Sequence, residues 1–259
     1  MYHTELRLTE AKKILAKFRR NDTCRFDLLF FSFLPHFLYQ KLLRNYNYSF
    51  PILRKEFCEK LKKQSKDLVA SCAEIQSLRD FGTRPIDIDS IGVSWLNNLL
   101  FHLIIRPLSS QLFGSTENFQ DLDWRQGYIA GYSEKPAVEK GAQMHRLVPH
   151  TDDSEVTLNI GMGDEDFEGG DLAFYNLRGT PEEGKFVGQF HPIMGHALIH
   201  SGRHLHEVQE VTKGDRYAYI IWARSWGSLR ANICPCCWMT RRQNTSVSKN
   251  RCICAPQWN

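Results

Sequence analysis

Up to about residue 105 the apolar positions recur at helical spacing, and from Trp124 onward they come in short runs broken by Gly, Asp and Pro. Leu8, Ala11, Ile14, Leu15 and Phe18 fall on one face of a predicted helix, with Thr9 as a candidate cap and Lys12, Lys13, Lys17, Arg19 and Arg20 on a solvated opposite face. An aromatic run from Phe26 to Tyr39 follows, and Ser49-Phe50-Pro51 reads as a break. Glu56 to Ile75 reads as a helix with Phe57, Leu61, Leu68 and Cys72 among its apolar positions. Phe81 to Pro85 is a loop, and 91–105 predicts a second buried helix ended by Pro107. The later runs are QGYIAGY, EVTLNIGM, GGDLAFYN, KFVGQFH, GHALIHS, HEVQEVT and RYAYIIWARS. Seven short strands separated by turn residues argue for a β sandwich or barrel. The order is supporting helices, then a β core, then a tail, and the predicted divisions are a helical segment 1–48, a domain 49–228 and a tail 229–259.

Composition narrows the class without naming a function. The chain has 259 residues, 42% hydrophobic and 24% charged, ordinary for a globular protein. Its longest apolar run, Phe26 to Tyr39, contains Asp27, Pro35 and His36 and falls short of the about 20 apolar residues a spanning helix needs. No membrane segment is expected, and the start lacks the basic-then-apolar order of a signal peptide. The net charge of +4 is concentrated in 229–259, where Arg230, Arg241, Arg242, Lys249 and Arg251 face no acid. The body is thus nearly neutral, which makes a nucleic-acid partner an unfavoured reading. Five of eight cysteines, Cys234, Cys236, Cys237, Cys252 and Cys254, crowd into the tail. Four of them could make a tetrahedral zinc site, although the Cys252–Cys254 gap is short for one; disulfides and free thiols are the other readings. Cysteines without a secretory signal favour an intracellular, cytoplasmic or nuclear setting.

The chemistry gathers around His150-Thr151-Asp152. Residues two apart in an extended chain point the same way, so one imidazole and one carboxylate can reach one cation. A second imidazole stands 56 residues on, at His206. Two His and one carboxylate on one face of an octahedron leave positions open for a chelating co-substrate and O₂, the arrangement of non-haem Fe(II) oxygenases. His-x-Asp by itself equally describes a polar surface turn, and ten histidines make a distal partner easy to find. Arg216 shares a strand face with Ala218, Ile220 and Trp222, which places a guanidinium at the edge of an apolar pocket, where a small dicarboxylate would suit it. An arginine at a strand start that reaches solvent is the plainer alternative.

Taken together, these residues resemble a family. From about Phe50 to Trp226 the chain is similar to the 2-oxoglutarate- and Fe(II)-dependent oxygenases of the prolyl 4-hydroxylase and procollagen-lysine hydroxylase group, most closely the 2-oxoglutarate and iron-dependent oxygenase domain-containing proteins. GYIAGY, HTDDSEVTLNI, FEGGDLAF and HEVQEVTKGDRYAYIIW match in family order, with Arg216 ten residues after His206 and Trp222 six beyond it. The resemblance implies an α+β fold with a double-stranded β-helix (jelly-roll, cupin-like) core and N-terminal supporting helices. It implies that His150, Asp152 and His206 bind iron, that Arg216 holds the far carboxylate of 2-oxoglutarate, and that Tyr132 hydrogen-bonds this co-substrate. Thr157 and Asn159 share the inward face after the metal motif and are candidates to line the pocket, with Trp222 as a wall. His206 is preferred to His204 by the spacing to Arg216, and Asp152 to Asp153 by strand alternation. His200 and His145 have no motif support and are read as structural. The implied reaction hydroxylates a C–H bond with O₂, releasing succinate and CO₂, with ascorbate keeping the iron reduced and a protein or peptide as substrate. The 18-residue interval from Tyr132 to His150 is longer than the family pattern and is a candidate lid or substrate rim. The alternatives are a non-catalytic binding protein on the same barrel that uses its basic tail, and a metal enzyme that does not use 2-oxoglutarate.

Overall fold

The computed structural model describes residues 40–43, 47–71, 85–113, 122–134, 144–164, 166–176, 181–202 and 204–225. The predicted helix at 8–18, the aromatic run and the cysteine-rich tail lie outside these residues. In chain order the elements are β1 (Gln40–Leu43), β2 (Asn47–Pro51), α1 (Lys55–Ser71), β3 (Ile86–Asp87), α2 (Ser94–Leu100), a π turn (Phe101–Ile105), α3 (Arg106–Phe113) and β4 (Trp124–Ser133). Then follow β5 (Leu147–His150), β6 (Val156–Gly161), β7 (Glu168–Gly169), β8 (Leu172–Tyr175), β9 (Phe186–Phe190), β10 (His196–Ser201), β11 (His206–Val208), β12 (Val211–Lys213) and β13 (Asp215–Arg224).

These strands form a seven-stranded sheet in the order β1-β2-β10-β6-β13-β4-β3, a four-stranded sheet in the order β5-β11-β8-β9, and a short β12-β7 pair. All the pairings are antiparallel. From β4 onward the chain passes back and forth between the two larger sheets, which is the winding of a double-stranded β-helix. The jelly-roll expectation is met.

Both faces of the large sheet are covered, for different reasons. Its outer face joins the helices in one apolar cluster in which Leu96, Leu100, Phe101, Ile104 and Ile105 meet Ile129, Leu158, Ile160, Tyr219 and Ile221. Its inner face looks across the barrel at the small sheet, where Ala130, Tyr132 and Leu198 meet Leu172, Phe174 and Val208. This explains why β6 is buried at every position instead of alternating. In α1, Phe57, Cys58, Leu61 and Ser65 form the inward stripe, while Glu59, Lys60, Lys63 and Asp67 are exposed. Burial pushes the Cys58 thiol up to about 12, so it behaves as a small apolar side chain.

Three elements differ from the sequence reading. The second helix does not end at Pro107. The wide turn at Phe101–Ile105 resets the hydrogen-bond ladder, and Pro107 falls in the first turn of α3, where a missing N–H costs little. The break at Ser49-Phe50-Pro51 is instead the end of β2, where Phe50 is buried opposite Ala197 and the proline sits at the strand's last position. The run HEVQEVT splits into β11 and β12, which belong to different sheets.

A buried polar network ties the helices to the large sheet. Asn97 donates to Asp89 at 2.7 Å and accepts from the Tyr219 hydroxyl, and Arg125 reaches Asp89 and Asn98. Gly127 provides the room, because a Cβ there would lie 1.9 Å from Asn97 Oδ1. Gly127→Ala is therefore expected to lower stability by about 1–3 kcal/mol through overpacking, read as a lowered urea midpoint, whereas Glu183→Ala on the exposed surface leaves it unchanged.

Candidate metal centre

The β5–β11 pairing places His150 directly opposite His206, and their rings lie 4.4 Å apart. Each ring is oriented from behind by a backbone carbonyl. His150 Nδ1 lies 2.9 Å from Val148 O, and His206 Nδ1 lies 2.8 Å from His204 O. A carbonyl only accepts, so both Nδ1 atoms carry the proton and both Nε2 lone pairs face forward. Asp152 lies just past the end of β5 and meets them there, with Oδ1 3.6 Å from His150 Nε2 and 3.8 Å from His206 Nε2. The three residues offer ligand atoms within 4.8 Å of one another.

The loop carrying Asp152 is pinned to the turn before β11. Asp152 N donates to Gly202 O at 3.1 Å, Gly202 N donates to Glu155 O at 3.0 Å, and a Cβ on Gly202 would lie 1.9 Å from Ser154 O. The second carboxylate oxygen, Oδ2, accepts from Thr157 Oγ1 at 2.5 Å, and Thr157 in turn contacts Ser154 Oγ at 2.8 Å. Thr157 thus reaches the carboxylate itself. Burial alone would raise the Asp152 pKa, but the positive charge that His206, His150 and His200 can take on beside it holds it well below the usual carboxylate range. Burial presses His206 down to about 3, so this imidazole is neutral at physiological pH. For His150 burial is outweighed by Asp152, and its pKa is raised. An ionised carboxylate and two forward Nε2 atoms are the donor set of an octahedral metal site with positions left open. The geometry favours His206 over His204, which stays outside the cluster, and Asp152 over Asp153, which is exposed and ion-paired with Arg224 at 3.1 Å.

Arg216 is wholly buried on the inner face of β13, opposite Tyr132 on β4, and its guanidinium carbon stands 4.8 Å from the Tyr132 ring. Burial lowers its pKa, while Tyr132 and Asp171 favour the charge. Among the described residues, none of its three side-chain nitrogens finds a hydrogen-bond partner. The glycine turn explains how it fits, since a Cβ on Gly170 would lie 2.8 Å from Arg216 Cδ. Further along the same inner face, Asn159 lies between Leu198 and Ile220 on the flanking strands, and Trp222 packs edge-on against Tyr128 at 5.3 Å.

His200, read from the sequence as structural, lies close to the cluster. It lies on the inner face of β10 beside Thr157, with Nε2 4.0 Å from Asp152 Oδ2. Nothing local marked it, because its proximity depends on which strand lies next to β6. Of the Tyr132–His150 interval, 135–143 lie outside the described residues; the ends meet where Ser133 N donates to Met144 O at 3.0 Å. No described helix is long and apolar enough to cross a membrane.

Over 190 residues the chain is 30% identical to the 2-oxoglutarate and iron-dependent oxygenase domain-containing protein ICU11 of Arabidopsis thaliana, covering 69% of this chain and 45% of that protein. Over 193 residues it is 29% identical to the 2-oxoglutarate and iron-dependent oxygenase domain-containing protein 2 of Xenopus tropicalis, covering 73% and 52%. The chain spans about half the length of the curated relatives it matches. Among solved structures it is similar to a prolyl-4-hydroxylase of Pseudomonas putida, at 15% identity over 71% of this chain and 90% of that one, with a TM-score of 0.45. No protein-family model matches the chain. The resemblance read from the motifs is borne out: the chain is a relative of the 2-oxoglutarate and iron-dependent oxygenase domain-containing proteins.

Metal binding at this cluster requires a neutral His150, and against the effect of burial the Asp152 carboxylate raises its pKa, so a proton competes for Nε2. Divalent-metal affinity is thus expected to fall about tenfold per pH unit below that pKa, with one proton released per metal bound. Co(II) titrations between pH 8 and pH 6 check this, and a pH-independent affinity would contradict it.

Proposed function

We propose that this domain is a 2-oxoglutarate-dependent Fe(II) dioxygenase that hydroxylates a C–H bond of a protein or peptide side chain, releasing succinate and CO₂. The observation that supports this reading is the wholly buried Arg216 guanidinium, without a hydrogen bond among the described residues, inside the same barrel as the His150, Asp152 and His206 cluster. A buried charge of this kind calls for a carboxylate, and its planar fork matches one through two parallel hydrogen bonds.

In this reading His150, Asp152 and His206 hold Fe(II), which when bound supplies the O₂ and redox chemistry that side chains lack. Arg216 fixes the far carboxylate of 2-oxoglutarate, and the Tyr132 hydroxyl is the second group available to that end. Asn159 lines the wall between them. Trp222 and Tyr128 close an aromatic side that excludes water from the reacting region. Thr157 keeps the Asp152 carboxylate turned toward the imidazoles by taking its outer oxygen. Ascorbate is the reductant proposed to keep the iron ferrous. The substrate proposal follows the group that the motifs resemble.

The test is anaerobic visible absorption of the metal-free protein titrated with Fe(II) and then 2-oxoglutarate. A metal-to-ligand charge-transfer band is expected, and in Arg216→Ala half-saturation needs about 30-fold more co-substrate or higher. Gly170→Ala, which crowds Arg216, is expected to shift half-saturation in the same direction while leaving Fe(II) binding intact. Iron that binds without any band on adding 2-oxoglutarate would overturn the co-substrate. Succinate release that survives in all of His150→Ala, Asp152→Ala and His206→Ala would overturn the metal site.

A further inference from the structure

His200 is wholly buried at the edge of the cluster, and the function proposed above gives it no task. Its Nδ1 lies 3.0 Å from the backbone oxygen of Ser201, so that nitrogen carries the proton and the neutral ring presents a bare lone pair at Nε2. The lone pair is aimed at the ligand set. Nε2 is 4.0 Å from Asp152 Oδ2, and the ring stands edge-on to His206 at 4.9 Å and to Phe174 at 5.3 Å.

Among the described residues Nε2 finds no hydrogen-bond partner. The group it faces is also an acceptor, and Oδ2 already takes Thr157 Oγ1. A separation of 4.0 Å is too long for the two to share a proton. Two buried acceptors facing each other are costly, because neither has its lone pair satisfied. One water making two hydrogen bonds of ordinary length spans such a gap and satisfies both. A leucine or methionine would fill the space beside Phe174 without leaving a nitrogen in need of a donor.

We propose that His200 is a positioning residue of the metal centre: its Nε2 accepts a hydrogen bond from a water held at the His150, Asp152 and His206 cluster. That water and Thr157 together fix the outer oxygen of Asp152, so the carboxylate presents Oδ1 to the metal in one orientation. The inference rests on the iron reading above, and it adds a residue that the sequence motifs do not contain.

The test compares wild type with His200→Leu, which cannot accept, and His200→Gln, whose Oε1 can accept near the position of Nε2. Anaerobic Fe(II) binding and the position of the 2-oxoglutarate charge-transfer band are read for each, with far-UV circular dichroism and thermal melting confirming the fold. His200→Leu is expected to weaken Fe(II) binding by about 10–100-fold and to shift the band, and His200→Gln to recover most of both. Wild-type affinity and an unmoved band in His200→Leu would overturn the proposal. So would equal losses in His200→Leu and His200→Gln, which would mean that ring shape matters and the acceptor does not. If His200→Leu does not fold, His200→Met takes its place as the non-accepting variant. Wild type alone decides whether iron and 2-oxoglutarate bind at all, so failure of the iron reading is seen separately from failure of the His200 role.

Discussion

The candidate site depends on the register of a single strand pair. His206 on β11 stands opposite His150 on β5, and two residues on Val208 stands opposite Leu147. A slip of one residue would turn His206 out of the barrel and bring Glu207 in. The opposite edge of β11 guards against that slip, because β8 sets Phe174 against His206 and Leu172 against Val208, all on the apolar inner face. Burial of Phe174, Leu172 and Val208 thus positions His206. Asp152 needs separate restraint because it lies beyond the strand, and the close packing of Gly202 on Ser154 supplies it.

The two faces of the large sheet divide the work. The face beneath the helices is almost wholly apolar and carries the stability of the fold. Its inner face is therefore free to carry Thr157, Asn159, His200 and Arg216, all buried. Neighbouring residues on one strand do opposite jobs: Tyr217 and Tyr219 belong to the helix-side core, whereas Arg216 and Ala218 belong to the barrel interior. A polar interior destabilises on its own account, and the helices offset that cost.

How much of this was legible in the sequence follows from the range of each interaction. The β core, the spacing from His206 to Arg216 and the alternation along β13 are local or periodic, and they read through. The preference for His206 over His204 came from its spacing to Arg216 and that for Asp152 over Asp153 from alternation after His150, both signals that lie within a short stretch of chain. What failed was set by contacts distant in the chain. The π turn that lets the helix run past Pro107 answers to packing on the sheet, and β2 is a strand because β10 lies beside it. His200 is near Asp152 only because β10 and β6 are neighbours, and no spacing rule encodes that adjacency.

The same tertiary setting supports the proposal that the Arg216 guanidinium is kept for a ligand. Gly170 removes a Cβ that would strike Cδ, and the Tyr132 ring lies against the guanidinium. Asp171 is near enough to favour the positive charge, yet its carboxylate is engaged elsewhere, accepting from Gln189 Nε2 at 2.9 Å and meeting His191 Nδ1 at 2.6 Å. Asp152 is likewise committed, to Thr157 and the imidazoles. A protein that used Arg216 for stability would give it one of these carboxylates, since a buried charge left without a partner costs several kcal/mol. Among the described residues both carboxylates face other groups, which supports the proposal that the carboxylate completing Arg216 arrives with the ligand. The energy withheld from folding is then released on binding, and it selects an acid over a neutral molecule of the same shape.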